Sequence, residues 1–237
     1  MTEPAIVLEN LRFHWPGQSG PVLDIPRFRV PRGEQVFLGG PSGSGKSTLL
    51  NLLTGVLAPP GRGQVQVLGE DLALLGHRAR DQFRADHVGY IFQMFNLVPY
   101  LGVLDNVLLP CRFSRLRRDR LSDPATDARD LLQRLGLSET LIHRPVRSLS
   151  VGQQQRVAAA RAMIGHPELI VADEPTSALD QAARNLFLRQ LLTQARNQGC
   201  TLVFVSHDLT LQAPFDRVIH LPELSQGSQA GSGEDVS

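Results

Sequence analysis

Lysine is almost missing from this sequence: of 24 basic residues, 23 are arginine and one, Lys46, is lysine. Cysteine is scarce too. Cys111 and Cys200 are too few and too ordinarily placed for a disulfide framework or a zinc site, so both read as reduced, structural residues. No stretch approaches the roughly 18 apolar residues that a membrane span needs. The start, Met1-Thr2-Glu3-Pro4, lacks the basic and apolar regions of a signal peptide, so a cytosolic protein is expected. Excess charge is absent as well, because a net charge of +1 gives no global electrostatic case for nucleic acid or an anionic membrane. What remains is 237 residues that are 42% hydrophobic, enough for one compact domain with an inserted lobe.

Arg112, Arg115, Arg117, Arg118 and Arg120 form a local exception to the even charge. A solvated face is the plain reading of this cluster, and contact with lipid headgroups or a membrane partner the sharper one. The tail 225–237, rich in Ser, Gly and Gln, has little to bury and is expected to be disordered.

Strand-like runs rich in aliphatic and β-branched residues occur at Ala5–Glu9, Val22–Val30, Gln35–Gly39, Val65–Leu68, Val88–Phe92, Leu169–Asp173, Thr201–Ser206 and Val218–Leu221. Helical periodicity marks Lys46–Thr54, Asp127–Leu135, Gly152–Ile164 and Gln181–Gln198. Early strands cluster at hairpin-like spacing and late ones alternate with helices. The expected fold is therefore α/β with an antiparallel β flap. Strand signals are absent between Met94 and Gly165, so 94–165 reads as an inserted helical lobe and 1–93 with 166–224 as the α/β core.

The apolar run Val36-Phe37-Leu38 leads into Gly40-Pro41-Ser42-Gly43-Ser44-Gly45-Lys46-Ser47-Thr48, and leucines at helical spacing follow. That is the strand, glycine loop and helix that a phosphate loop requires: inward N–H groups and a helix N-terminus cradle phosphates, Lys46 reaches the β and γ groups, and the Ser47 hydroxyl ligates Mg²⁺. Leu169–Ala172 reads as a buried parallel strand that delivers Asp173 and Glu174 at its end. Asp173 would hold Mg²⁺ through water and Glu174 would polarise the attacking water; two solvated acids are the plainer alternative. Gln93 closes Val88–Phe92, where its amide could ligate Mg²⁺ or water, and His207 follows Thr201–Ser206, where an imidazole could reach the γ-phosphate. Each means little alone. Ser150 and Gln153 have capping-box spacing, which initiates a helix and also leaves an anion site at its N-terminus.

Taken together, residues 5–222 resemble the nucleotide-binding subunits of ATP-binding cassette (ABC) transporters. On that resemblance Trp15 is similar to the aromatic that stacks on adenine, Gly40–Thr48 to Walker A, and Gln93 to the Q-loop. Leu149–Gln153 resembles the signature, Leu169–Glu174 Walker B, Ser177–Asp180 the D-loop and His207 the switch histidine. The segments Phe92–Pro99 and Asp105-Asn106-Val107 are most similar to the branch serving lipoprotein release, macrolide efflux and the division-linked cassette.

The resemblance implies ATP and Mg²⁺ as cofactors and a homodimer of cassettes. Ser150, Gly152, Gln153 and Asp180 of one copy would complete the site of the other, with catalysis by Glu174, His207, Lys46 and Gln93 and metal contacts from Ser47, Gln93 and Asp173. It also implies an integral membrane permease as partner, no nucleic acid, and a place on the inner face of the membrane. A short permease helix would dock near Phe95, Leu97, Val98, Leu101 and Val103, whose plain reading is lobe core. A soluble cassette of DNA repair or translation is the competing class; it typically carries a coiled-coil insertion, a second cassette or metal modules, none of which is visible here. A mechanical regulator of a membrane partner is the third. Two departures stand out: Val151 replaces the usual first signature glycine, which would slow turnover without abolishing it, and Pro222-Glu223-Leu224 replaces the usual terminal glycine turn.

Overall fold

The computed structural model describes residues 3–18 and 20–225. In chain order the elements are β1 (Pro4–Phe13), β2 (Leu23–Pro31), β3 (Gln35–Gly39), α1 (Lys46–Leu53), β4 (Val65–Val67), β5 (Glu70–Asp71), α2 (His77–His87) and β6 (Val88–Ile91). Then follow α3 (Val103–Phe113), α4 (Arg115–Asp119), α5 (Pro124–Arg134), α6 (Val151–Met163), β7 (Leu169–Asp173), α7 (Gln181–Asn197), β8 (Thr201–Ser206), β9 (Arg217–His220) and α8 (Leu221–Ser225).

Two sheets result. One is antiparallel, in the order β2-β1-β4-β5, and the other runs β6-β7-β8-β3-β9 with every pairing parallel. The α/β core with an antiparallel flap is thus present. Alternation along β3 shows how the layers form: Val36 and Leu38 face an apolar cluster shared with β1, β2, β4 and α1, while Phe37 faces one shared with α3, α5, α6 and α7. Both faces of the parallel sheet are covered at its inner strands β7, β8 and β3, which are almost wholly buried, whereas the edge strand β9 (Arg217–His220) is only partly so. Helices α3, α5 and α6 have their apolar faces in the second cluster, together with Ile170, Ala172, Leu202 and Phe204 of the sheet.

Helix α6 lies against the sheet at very short range. A Cβ built on Gly89 of β6 would stand 2.1 Å from the Ala162 carbonyl oxygen, so nothing larger than glycine fits there. The run Ala158-Ala159-Ala160 is fully buried for the same reason.

Several sequence expectations need correction. The strand that begins at Val88 ends at Ile91 rather than Phe92, and the last strand is Arg217–His220, with Leu221 already in α8. Pro222, Glu223 and Leu224 form that short helix. Ser225, expected in a disordered tail, closes it and accepts a hydrogen bond from the Asp24 N–H at 3.0 Å, whereas 226–237 lie outside the described residues. Helix α2 was not anticipated, and α3 and α4, which fall in the expected helical lobe, were not singled out within it.

The arginine cluster is not a uniform solvated face. Arg117 is buried, its Nε donating to Ile164 O at 2.9 Å and its Nη2 to Ala162 O at 2.6 Å, where it closes the C-terminal end of α6. Burial pulls its pKa down to about 10. Arg120 pairs with Glu168 at 2.6 Å and donates to His166 O. Burial alone would raise the Glu168 pKa, but hydrogen bonds from His87 and Arg120 prevail and hold it at about 2. Arg112, Arg115 and Arg118 stay exposed and pair locally with Asp105 and Asp119.

Replacing Arg117 with Met would strand two buried carbonyls. We expect Arg117→Met to cost about 3 kcal/mol in urea denaturation, and a loss below about 1 kcal/mol would show that other donors satisfy them.

Candidate functional site

The sequence expectations converge on the C-terminal edge of the parallel sheet. Loop 40–45 leaves β3 there, Asp173 and Glu174 end β7, Ser206 and His207 end β8, and Gln93 follows β6 by two residues. Parallel register does the gathering, with Gly39 opposite Ser206 and Asp173 opposite Val205. A cleft of about 650 Å³ opens between them, lined by Trp15, Gln18, Val22, Ser42, Gly43, Lys46, Ser47, Gln93, Asp173, Glu174 and His207 among others.

Loop geometry prepares this cleft for an anion. Gly45 is the N-cap of α1 at φ 93°, and a Cβ there would meet Leu23 at 2.9 Å and the Val22 carbonyl at 3.0 Å, so glycine is required on both counts. As a glycine it brings no side-chain cap, and the first turn of α1 holds no acid. The N–H groups of that turn are therefore left for an external acceptor, with the helix dipole favouring negative charge. Lys46 is 9% exposed and folds back, its Nζ donating to Gly40 O at 2.7 Å and Pro41 O at 2.8 Å. Two weak neutral acceptors hold an ammonium that a phosphate would attract more strongly.

Opposite the loop, Ser47 Oγ lies 3.5 Å from Asp173 Oδ2. Burial, and then the Glu174 charge, push the Asp173 carboxyl above its ordinary pKa, with Ser47 and Lys46 opposing. Glu174 stands at φ 46°, a left-handed backbone that side-chain-bearing residues rarely adopt. Its N–H donates to Val205 O at 3.0 Å, so Glu174 is still tied to β8 where its backbone turns. The carboxylate takes the His207 N–H on Oε1 at 2.9 Å, while His207 Nδ1 lies 2.9 Å from Oε2 and Ser206 Oγ donates to Oε2 at 3.4 Å. A carboxylate and an imidazole thus face each other at the mouth of a phosphate cradle, an arrangement able to move a proton from water.

Trp15 rests edge-on against Phe13, ring centres 5.1 Å apart, and stays partly exposed where it lines the cleft. Gln18 and Val22 line the cleft too, and no sequence signal had marked them as site residues. Ser150, Gly152, Gln153 and Asp180 do not line the cleft. Ser150 and Gln153 form a complete capping box on α6, and Asp180 caps α7 by accepting from the Ala183 N–H at 2.8 Å. Val151 is 46% exposed beside that cap.

A model of the ABC transporter family matches residues 23–177. The chain belongs to that family. It is an ATP-binding cassette, and it hydrolyses ATP. Among curated proteins it is 44% identical over 192 residues to the ABC transporter ATP-binding protein YbbA of Escherichia coli K12, covering 81% of this chain and 82% of that one. It is 38% identical over 226 residues to the lipoprotein-releasing system ATP-binding protein LolD of Novosphingobium aromaticivorans, covering 94% and 98%. With the macrolide export protein MacB of Rhodopseudomonas palustris it shares 39% over 225 residues, 94% of this chain but only 33% of that longer protein. Among solved structures, the post-hydrolysis dimer of the cassette MJ0796 bound to ADP and Pi superposes with a TM-score of 0.79 at 32% identity, covering 91% of this chain and 94% of that one.

The cradle fits a thin-stemmed ammonium better than a planar fork. Lys46→Arg should therefore lose hydrolysis by about a hundredfold or more in a phosphate-release assay, although charge is kept; near-normal turnover would overturn this account of the loop.

Proposed function

We propose that this cassette works as one of an identical pair, closing around ATP to drive a separately encoded membrane permease of the lipoprotein-release and macrolide-export kind. One observation carries the reading. The cleft is lined by the glycine loop, Glu174, His207 and Trp15, yet Ser150 and Gly152 lie outside that lining, at the capped N-terminus of α6. A second copy packed head to tail would bring its Ser150, Gly152, Gln153 and Asp180 to face this Lys46. Dimeric forms of the similar MJ0796 cassette support that arrangement.

Within the pair, Trp15 would stack on adenine, and loop 40–48 with Lys46 would hold the phosphates. Ser47 Oγ, Asp173 and the Gln93 amide oxygen, all lining the cleft, would give Mg²⁺ the hard oxygen ligands it prefers, and a cation would relieve the partly buried Asp173 carboxylate. When bound, Mg²⁺ would neutralise charge developing on the β and γ oxygens. Glu174 would orient water and take its proton as the water attacks the γ-phosphorus, and His207 would hydrogen-bond the γ-phosphate while holding the Glu174 carboxylate in place. Closure around ATP supplies the work, and hydrolysis allows reopening.

For the permease, Phe95 and Val103 are buried in the core and offer nothing to a partner. An accessible apolar surface is instead a groove of about 520 Å³ among α2, α3, α4, α6 and β6, lined by Tyr90, Phe92, Leu109, Pro110 and Phe113 with Asp81 and Arg84 at its α2 side. A short amphipathic helix is the natural occupant. Among the described residues no helix is long and apolar enough to cross a membrane, so attachment through the permease would place the chain at the inner membrane face.

Glu174→Gln should bind ATP, slow hydrolysis by about a hundredfold or more, and accumulate as a dimer in gel filtration; unchanged turnover would remove Glu174 as the base. Phe113→Asp, altering a side chain that is 68% exposed at the groove, should leave the isolated chain's ATPase rate intact. It should also abolish stimulation by a co-expressed permease, and retained stimulation would move the docking site elsewhere.

A further inference from the structure

Arg161 is 8% exposed near the C-terminal end of α6, and its guanidinium is spent on backbone. Nη2 donates to Phe95 O at 2.6 Å and Nη1 to Asn96 O at 2.7 Å. Both acceptors belong to residues in the left-handed region, Phe95 at φ 59° and Asn96 at φ 49°. Such backbone persists in residues with side chains only where the surroundings over-determine it.

The position of this turn is what gives it meaning. Gln93, two residues earlier, lines the nucleotide cleft, whereas Asn96 and Arg161 line the apolar groove. Beyond the turn the chain is fixed again by fully buried Asn106, whose Oδ1 accepts from Val98 N and whose Nδ2 donates to Val98 O, Leu101 O and Gly102 O. Among the described residues, Arg161 alone holds the carbonyls of Phe95 and Asn96 from a separate element. On the same helix Gln155 donates to Pro175 O, immediately after Glu174. Helix α6 therefore grips both the Gln93 turn and the Glu174 turn.

We infer that Arg161 is a positioning residue for Gln93: its planar fork fixes two successive carbonyls and so sets where the Gln93 side chain enters the cleft. This rests on the role proposed above for Gln93. Two parallel charge-assisted bonds fix direction as well as distance, which the single ammonium of a lysine cannot do.

The test is a double-mutant cycle on the full chain, reading kcat, KM for ATP and thermal midpoint. Arg161→Met should lower kcat about tenfold while KM changes by less than about twofold, because the reacting groups are displaced rather than nucleotide binding lost. Arg161→Lys should fall between it and the native chain. In a Gln93→Ala background, Arg161→Met should change kcat by less than about twofold, since the group it positions is gone. Equal losses in both backgrounds, or a loss carried by KM, would overturn the inference and leave the Gln93 reading standing. Unchanged kcat in Gln93→Ala alone would overturn both. If Arg161→Met does not fold at the assay temperature, Arg161→Lys in the two backgrounds makes the same comparison.

Discussion

Parallel register in the five-stranded sheet is the constraint from which the site follows. Side chains on β3, β6, β7 and β8 are consumed by two apolar clusters, so no chemistry can sit within the strands. Polar groups are pushed to the last residue of a strand or just beyond it, and because all these strands run the same way those positions share one edge. Gly39 opposite Ser206, and Asp173 opposite Val205, put the phosphate cradle, two acids and a histidine within one cleft. A slip of one residue in any pairing would turn the apolar set of that strand to the wrong face and carry its terminal residue out of reach.

Helix α6 transmits that edge to the rest of the molecule. It begins at the Ser150 cap, meets the end of β7 through Gln155 and the turn after Gln93 through Arg161, and has its last carbonyls closed by Arg117 from α4. Its packing against β6 at Gly89 leaves almost no room to slide. A helix so tightly seated moves as a body or not at all, which suits an element whose two ends serve different neighbours.

Much of this was legible in the sequence, for identifiable reasons. Buried parallel strands announce themselves as unbroken apolar runs, as in Leu169–Ala172 and Leu202–Val205. The glycine loop is readable because Gly45 is sterically compelled. Helix α2 was not readable: in His77–His87 only Phe83 is buried, so no apolar stripe exists to detect. Pro110 hid α3 by interrupting its pattern, and α4 is too short to show a period. The buried arginines were opaque for another reason. Arg117 and Arg161 are satisfied by backbone carbonyls distant in sequence, and composition cannot distinguish such a residue from a solvated one.

The scarcity of lysine has a consequence of its own in covalent chemistry. This sequence offers a single side-chain amine to acylating reagents, and that amine is Lys46, tucked against two carbonyls of the glycine loop. Any enzyme that acetylates or ubiquitinates lysine has one address on these 237 residues, and it lies inside the nucleotide cleft. A mark placed there would remove the charge on the loop, and an occupied cleft would bar the reagent. On the role proposed for Lys46, side-chain amine modification and nucleotide binding would compete for one nitrogen.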